Sequence, residues 1–393
     1  MNRNRLLFVL FSVACLVPIV SGSLSRAATE GEAGEDSLSK QLAVFSEVLS
    51  LIRRAYVEEA PVEQLLEGAL DGSTHALDPL STFVPAEEVE EYRRTRQAGS
   101  RRSGLTIAKE RGIAYVVAVE AGSPGELAGF QQRDVLASIA GQSTRTMPLW
   151  KLQTYLADEP GSRLQIEVLR RGQSHELALT LEEFEASLPR LEERRDVAVL
   201  RLNRFDQRAV PGVRQALEGL RGAAQDKLIV DLRGIAGGDA AAAYQMGGFF
   251  VQGRLGELKG SREAPVDFES TAEPIWQGET VVLIDRGCLG PSEVFASILR
   301  QKAGARLVGQ SSFGHAGRLA ALTLSNGSQL FLTDAFFTGP DGEPIDDKLT
   351  PDLVVDDSYR RFSELAAPTA DLILERGLEL LLSGEELPMK KVA

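Results

Sequence analysis

The sequence predicts an α+β protein of several domains: an N-terminal helical segment, a β-rich module with two helices, and an α/β core. Three observations carry that prediction. Hydrophobic spacing changes twice along the 393 residues, from a helical period to short strand-like runs and then to buried β-branched runs. The last part alternates strand with helix, the pattern of a parallel or mixed sheet covered by helices. The composition, 43% hydrophobic and 25% charged, is that of a soluble globular chain.

Taken in order, Arg3 and Arg5 precede an apolar run from Leu6 to Val20, and small residues follow through Ala28. That is the layout of a secretory signal peptide. The run is short for a membrane span, which needs about 20 residues. Residues 1–27 are therefore expected to be a signal peptide or an uncleaved anchor. The expected location is exported, in the periplasm or cell envelope, with membrane contact only through this segment. Residues 28–37 are acidic and small and read as a linker. Over residues 38–96, Leu42, Phe45, Val48, Leu49 and Ile52 recur at helical spacing, and a second helix covers about Val62 to Thr74. In the following LDPLSTFVPAEEVEEY, Pro85 with Glu87 and Glu88 opens a third helix.

Residues 104–183 hold about five short strands, a turn with a short helix (GSPGELAG), and an amphipathic helix carrying Leu149, Leu152 and Leu156. Residues 190–357 read as the α/β core. KLIVDLRG and TVVLIDRG are buried strands, and Asn326-Gly327 turns a hairpin. Residues 358–393 form a C-terminal helical segment, with the helix from about Ala370 to Ser383.

The net charge of −13 argues against nucleic acid, which requires a basic face. Two cysteines, Cys15 and Cys288, and three scattered histidines give no metal-ligand pattern, so neither metal nor cofactor is expected.

The stretch from Asp285 to Arg318 organises the core: strand, tight turn, helix, strand and Gly-rich loop. Gly290 suits the helix cap, Pro291 the first helical position and Glu293 the first turn. Ser292 reads as a structural serine and Cys288 as core. Upstream, Asp231-Leu232-Arg233 followed by Gly237-Gly238 is a strand end entering a loop; such glycines permit close backbone approach or simply a turn.

AGSPGELAGFQQRDVLASIAGQ (Ala121–Gln142) resembles a PDZ domain, with Arg133 in place of a usual glycine. The resemblance implies a loop, Gly104-Leu105-Thr106-Ile107, whose backbone amides capture a C-terminal carboxylate. Thr106 replaces a second glycine there.

Taken together, the parts resemble the carboxyl-terminal processing peptidases, or tail-specific proteases. The matching strings are EVLSLIRRAYVEE, LDPLSTFVPAEEVEEY, IVDLRGIAGG and LTPDLVVDD. The resemblance implies a ClpP/crotonase-like core and a Ser–Lys dyad. Ser292-Glu293-Val294 aligns with a family Ser-Glu-Ile string, which puts the nucleophile position at Gly290. The base position is then His315, and a supporting glutamine position is Leu319. The oxyanion region would comprise Gly237, Gly238 and Pro291, yet Pro291 has no N–H to offer. A fallback pair is Ser292 with His315, since histidine titrates near neutrality. Lys302, about 18 Å along the helix from Gly290, is too far to act as base.

The expected function is therefore an exported pseudoprotease binding protein C-termini or extended peptides, as adaptor or regulator of an active relative. An active serine endopeptidase using Ser292 and His315 is the alternative. A structural, dimerising protein is the third reading, with a homo-oligomer as its partner.

Overall fold

The computed structural model describes residues 38–98, 101–345, 347–355 and 371–383. The expected leader and acidic linker lie outside them, as do residues 358–370 and 384–393. The chain divides into two compact units, residues 1–70 and 71–393. In the first, helix α1 (residues 38–55) leads to the start of α2 (Val62–His75). Leu42, Phe45 and Val48 of α1 are 57%, 38% and 45% exposed, an apolar stripe left on the surface.

The second unit opens with β1 (Thr82–Val84) and α3 (Val89–Ala98). A β-rich module follows: β2 (Leu105–Glu110), β3 (Ile113–Val119), a one-turn α4 (Pro124–Leu127), β4 (Val135–Ile139), β5 (Gln142–Ser143), α5 (Leu149–Leu156), β6 (Arg163–Arg170) and β7 (Gln173–Thr180). Its sheet runs β2-β3-β4-β6-β7, with β5 beside β4. Alternate residues of these strands, Ile107, Leu136 and Ile166 among them, meet Leu149, Leu152 and Leu156 of α5 in one core. This is the two-fold strand period locking onto one helical stripe. Ser123 caps α4 by accepting the Glu126 amide. Arg133 adopts φ 70°, so the turn keeps the left-handed backbone that glycine ordinarily supplies.

The core is built on a six-stranded sheet ordered β17-β14-β13-β10-β9-β8. These are β8 (Arg190–Arg194), β9 (Val197–Arg201), β10 (Lys227–Asp231), β13 (Glu279–Ile284), β14 (Arg306–Gly309) and β17 (Leu353–Val354). All neighbours pair parallel except β8, which is antiparallel at the edge. Parallel strands must be covered on both faces, and alternate side chains show it. Leu200, Leu228, Val230, Val282 and Leu307 pack beneath α6 (Ala209–Gly222), α7 (Ala240–Gly247) and α8 (Pro291–Lys302). Val199, Ile229, Val281, Leu283 and Val308 face α9 (Leu372–Ser383) instead. Val294, Phe295, Ala296, Ile298 and Leu299 of α8 are all fully buried. Each larger side chain there contributes about 1.5–3 kcal/mol by leaving water.

A second sheet, β1-β16-β11-β12 with β15 beside β16, forms a flank of the core. It comprises β11 (Gly253–Gly260), β12 (Val266–Ser270), β15 (Gly317–Thr323) and β16 (Gln329–Phe337). The hairpin around Asn326-Gly327 is the β15–β16 pair, whereas β11–β12 and the pairing of β1 with β16 carried no sequence signal.

Candidate active site

Strand β13 ends at Ile284, and the chain turns through residues 285–290 into α8. Gly290 is the N-cap, at φ 68° and ψ −112°, a conformation an L side chain adopts only under strain. A Cβ placed on it would meet nothing within 4 Å. A sharp strand-to-helix turn with open space at its apex is where a nucleophile can stand exposed. Here the apex carries no side chain, and Pro291 supplies no amide.

Glu293, one turn into α8, is fully buried and gathers the site. Its Oε2 accepts the Gly290 amide at 2.9 Å and the His315 amide at 3.2 Å. Its Oε1 accepts the Gly314 amide at 2.6 Å and the Ser312 hydroxyl. Two amides on one oxygen place the Gly290 and His315 nitrogens within about 6 Å of each other. The nucleophile and base positions implied by the resemblance are thus neighbours. Burial pushes the Glu293 carboxyl up, and the four donated hydrogen bonds only partly oppose it. In sequence, Glu293 reads only as a helix-start acid, because its other donors lie 19 to 22 residues downstream.

His315 is 8% exposed. Its Nε2 shares a 2.9 Å hydrogen bond with the Thr333 hydroxyl and lies 3.9 Å from an Asp78 oxygen, while the ring stands edge-on to Phe336. Leu319 is the direct cross-strand partner of Thr333. Leu319 therefore sits one residue away from His315, but it packs against Val84, Tyr92 and Phe331 as an apolar side chain.

Other candidates are placed differently. Ser292 is fully buried, and its hydroxyl donates to the Ile235 carbonyl at 2.7 Å. Its hydroxyl proton is engaged by a backbone acceptor in this structure. Gly238 approaches Phe205, where a Cβ would lie 2.2 Å from the Phe205 carbonyl oxygen. Gly237 faces the Arg204 guanidinium, 3.6 Å from where its Cβ would be. The loop borders the site through Ile235 and Ala236. Ile235 accepts the Leu289 amide, and Ala236 packs with Leu289 and Phe313. Cys288 is buried, gives its thiol to the Leu232 carbonyl, and has its pKa pushed well up by burial.

The β-rich module covers this turn. Ala108 and Val117, with Tyr115 and Leu80, pack on Leu289, Ala236 and Phe313. Gln132 reaches the Asp285 carboxylate at 2.9 Å, and Arg204 pairs with Glu120 at 3.2 Å. Of the expected carboxylate loop, Gly104 adopts φ 71° against Ser123, where any Cβ would collide. The Leu105 amide donates to Ser103 Oγ at 3.3 Å, and the Leu105 and Ile107 side chains belong to the module's core. Thr106 pairs with Ala118 of β3. Among the described residues, no cluster of side chains could hold a metal ion.

Residues 196–355 match the sequence profile of Peptidase family S41, and residues 115–170 match that of the PDZ domain. The chain is 23% identical over 368 residues to the carboxy-terminal processing protease CtpA of Bacillus subtilis, covering 88% of this chain and 76% of that one. It is 28% identical over 295 residues to the carboxyl-terminal-processing protease of Synechocystis sp., covering 73% and 69% respectively. The photosystem II D1 C-terminal processing protease has the same fold, with TM-score 0.64 at 23% identity, covering 86% of this chain and 96% of that one. Fold and sequence agree: this chain carries a PDZ domain followed by a domain of peptidase family S41, the family of the C-terminal processing proteases.

Proposed function

We propose that this chain is a pseudoprotease: an exported member of the C-terminal processing group that binds protein C-termini through its PDZ domain and does not cleave them. One observation carries the reading. Gly290 occupies the apex of the β13–α8 turn, with open space where a side chain would stand. A glycine there has no nucleophile. The Pro291 that follows removes the amide that commonly stabilises an oxyanion, a loss worth about 100- to 1000-fold in rate. At the base position His315 is engaged by Thr333, and Leu319 offers no side-chain carboxamide. The exported location follows from residues 1–27 alone.

The test is an unstructured polypeptide ending in apolar residues, incubated with purified protein. Binding without cleavage is expected, and amidating the polypeptide's C-terminus should abolish that binding. Cleavage that disappears in Ser292→Ala or His315→Ala would overturn the proposal. The exposed apolar stripe of α1 favours a second reading, a dimerising protein. Sedimentation of the wild type against Leu42→Glu/Val48→Glu checks it: a dimer that the variant dissociates supports it, and a wild-type monomer sinks it.

A further inference from the structure

Strand β8 ends the core sheet, and among the described residues no group hydrogen-bonds to its outer edge. An open edge is a template for another strand. The residues of β8, Arg190 to Arg194, are all exposed. Beside them runs an open groove lined by Leu191, Leu220 and Leu382, of which Leu191 and Leu382 are 40% and 45% exposed. One charge is unmatched within the chain. Arg190 stands directly across from Arg201, and Arg201 lies 4.0 Å from Asp231. Like charges opposite one another are destabilising, and among the described residues no carboxylate pairs with Arg190.

The β8–β9 hairpin fixes which groups the edge offers. Arg194 pairs with Val197 across the two-residue turn Arg195-Asp196, whose φ angles are 53° and 62°. Residues flanking such a turn exchange hydrogen bonds with each other. Arg194, Glu192 and Arg190 therefore direct their backbone groups to β9, while Leu191 and Glu193 present theirs outward. A second β8 running antiparallel must meet these outward groups with its own, and the symmetric registers differ in charge. With Leu191 opposite Glu193, Arg190 faces Arg194 and Glu192 faces its own copy. With Glu193 opposite its own copy, two carboxylates meet on the axis. With Leu191 opposite its own copy, leucine meets leucine and Arg190 faces Glu192 on both sides of the axis. Only this last register sets no like charges directly opposite each other.

We propose that the free edge of β8 is a self-association surface, on which a second copy of this chain pairs antiparallel about Leu191 and joins the two core sheets into one. Each Leu191 exchanges amide and carbonyl hydrogen bonds with its counterpart, and each Glu193 amide donates to the Pro189 carbonyl of the other copy. Pro189 has no N–H to return, so the ladder ends there and the contact is short. Each Arg190 gains the carboxylate it lacks, Glu192 of the other copy. Glu192 also holds Arg194 of its own strand at 3.1 Å, and the two oxygens of one carboxylate can accept from both guanidinium groups. The surface uses none of the residues of the α1 stripe and does not depend on the PDZ domain taking C-termini.

Sedimentation equilibrium of the full chain carrying Leu42→Glu/Val48→Glu, which removes the α1 stripe, tests this. A monomer–dimer equilibrium is expected. In that background Arg190→Glu and Glu192→Arg each set two like-charge pairs across the axis and should weaken the dimer about tenfold. Arg190→Glu/Glu192→Arg together exchange the charges and should recover the original constant to within about twofold. Hydrogen exchange gives an answer that needs no charge variant: the Leu191 amide should gain about tenfold protection from dilute to concentrated protein. Association that vanishes with the α1 substitutions would place it on that stripe and overturn the proposal. A dimer that neither charge reversal weakens, or a double exchange no better than the single reversals, would overturn it as well. So would a Leu191 amide whose exchange ignores protein concentration.

Discussion

Glu293 is the residue at which two loops meet. A carboxylate buried without partners is costly, and this one is satisfied by donors from Gly290, Ser312, Gly314 and His315. Glu293→Ala would leave three amides and a hydroxyl buried and unpaired. It should destabilise the chain by about 3 kcal/mol in urea unfolding, a loss that shows position 293 to be structural. Ser292→Ala deletes one hydrogen bond to Ile235 and should cost only about 1 kcal/mol. At this scale the sequence was informative where residues act locally. Gly290, Pro291 and Glu293 take the cap, first-helical and first-turn positions expected of them, and Cys288 is core. It was silent where a partner comes from far along the chain. Nothing local to Gly238 shows that Phe205 will press against it, and nothing near His315 points to Thr333.

Helix α9 shows how one terminal element is fastened. The Asp371 carboxylate accepts the Leu374 amide at 3.1 Å and two hydrogen bonds from Arg233 at 2.7 Å, while Arg233 also grips Asp231. Burial alone would raise the Asp371 pKa, but the Arg233 hydrogen bonds and charge outweigh it and hold it below the ordinary 3.8. A carboxyl lowered in the folded state contributes stability that is complete above its unfolded pKa and is lost as pH falls through the folded one. Wild-type stability should therefore decline as pH drops below about 4, and Asp371→Ala should flatten that decline in thermal melts taken across pH. At neutral pH the same variant should cost about 1 kcal/mol as a lost cap. Buried core strands and the Asn-Gly hairpin were legible because apolar runs and turn chemistry mark them. Strands β8, β11 and β12 were not. RLEER, GRLGELKG and VDFES are polar or glycine-bearing sequences, and the first and last of these strands end their sheets. Edge strands are specified by their neighbours more than by their own apolar period.

Across residues 71–393, the PDZ domain lies on the turn that would carry chemistry, through Ala108 and Val117 on Leu289 and through Gln132 on Asp285. Asp285 also accepts the Gly234 and Gly287 amides at 2.9 and 3.0 Å, so one carboxylate binds two core loops to the PDZ domain. Asp285→Ala should let the PDZ domain open independently. Hydrogen exchange would then rise in β2 and β3 before the core strands respond, whereas the wild type should lose both together. A folded PDZ domain resting on a turn whose apex is glycine fits the binding function proposed above. The most direct measurement of that claim is the intact mass of the protein after treatment with a serine-reactive fluorophosphonate. An unchanged mass is predicted, because position 290 is glycine and the Ser292 hydroxyl is buried against Ile235. A single adduct on Ser292 that disappears in His315→Ala would contradict it.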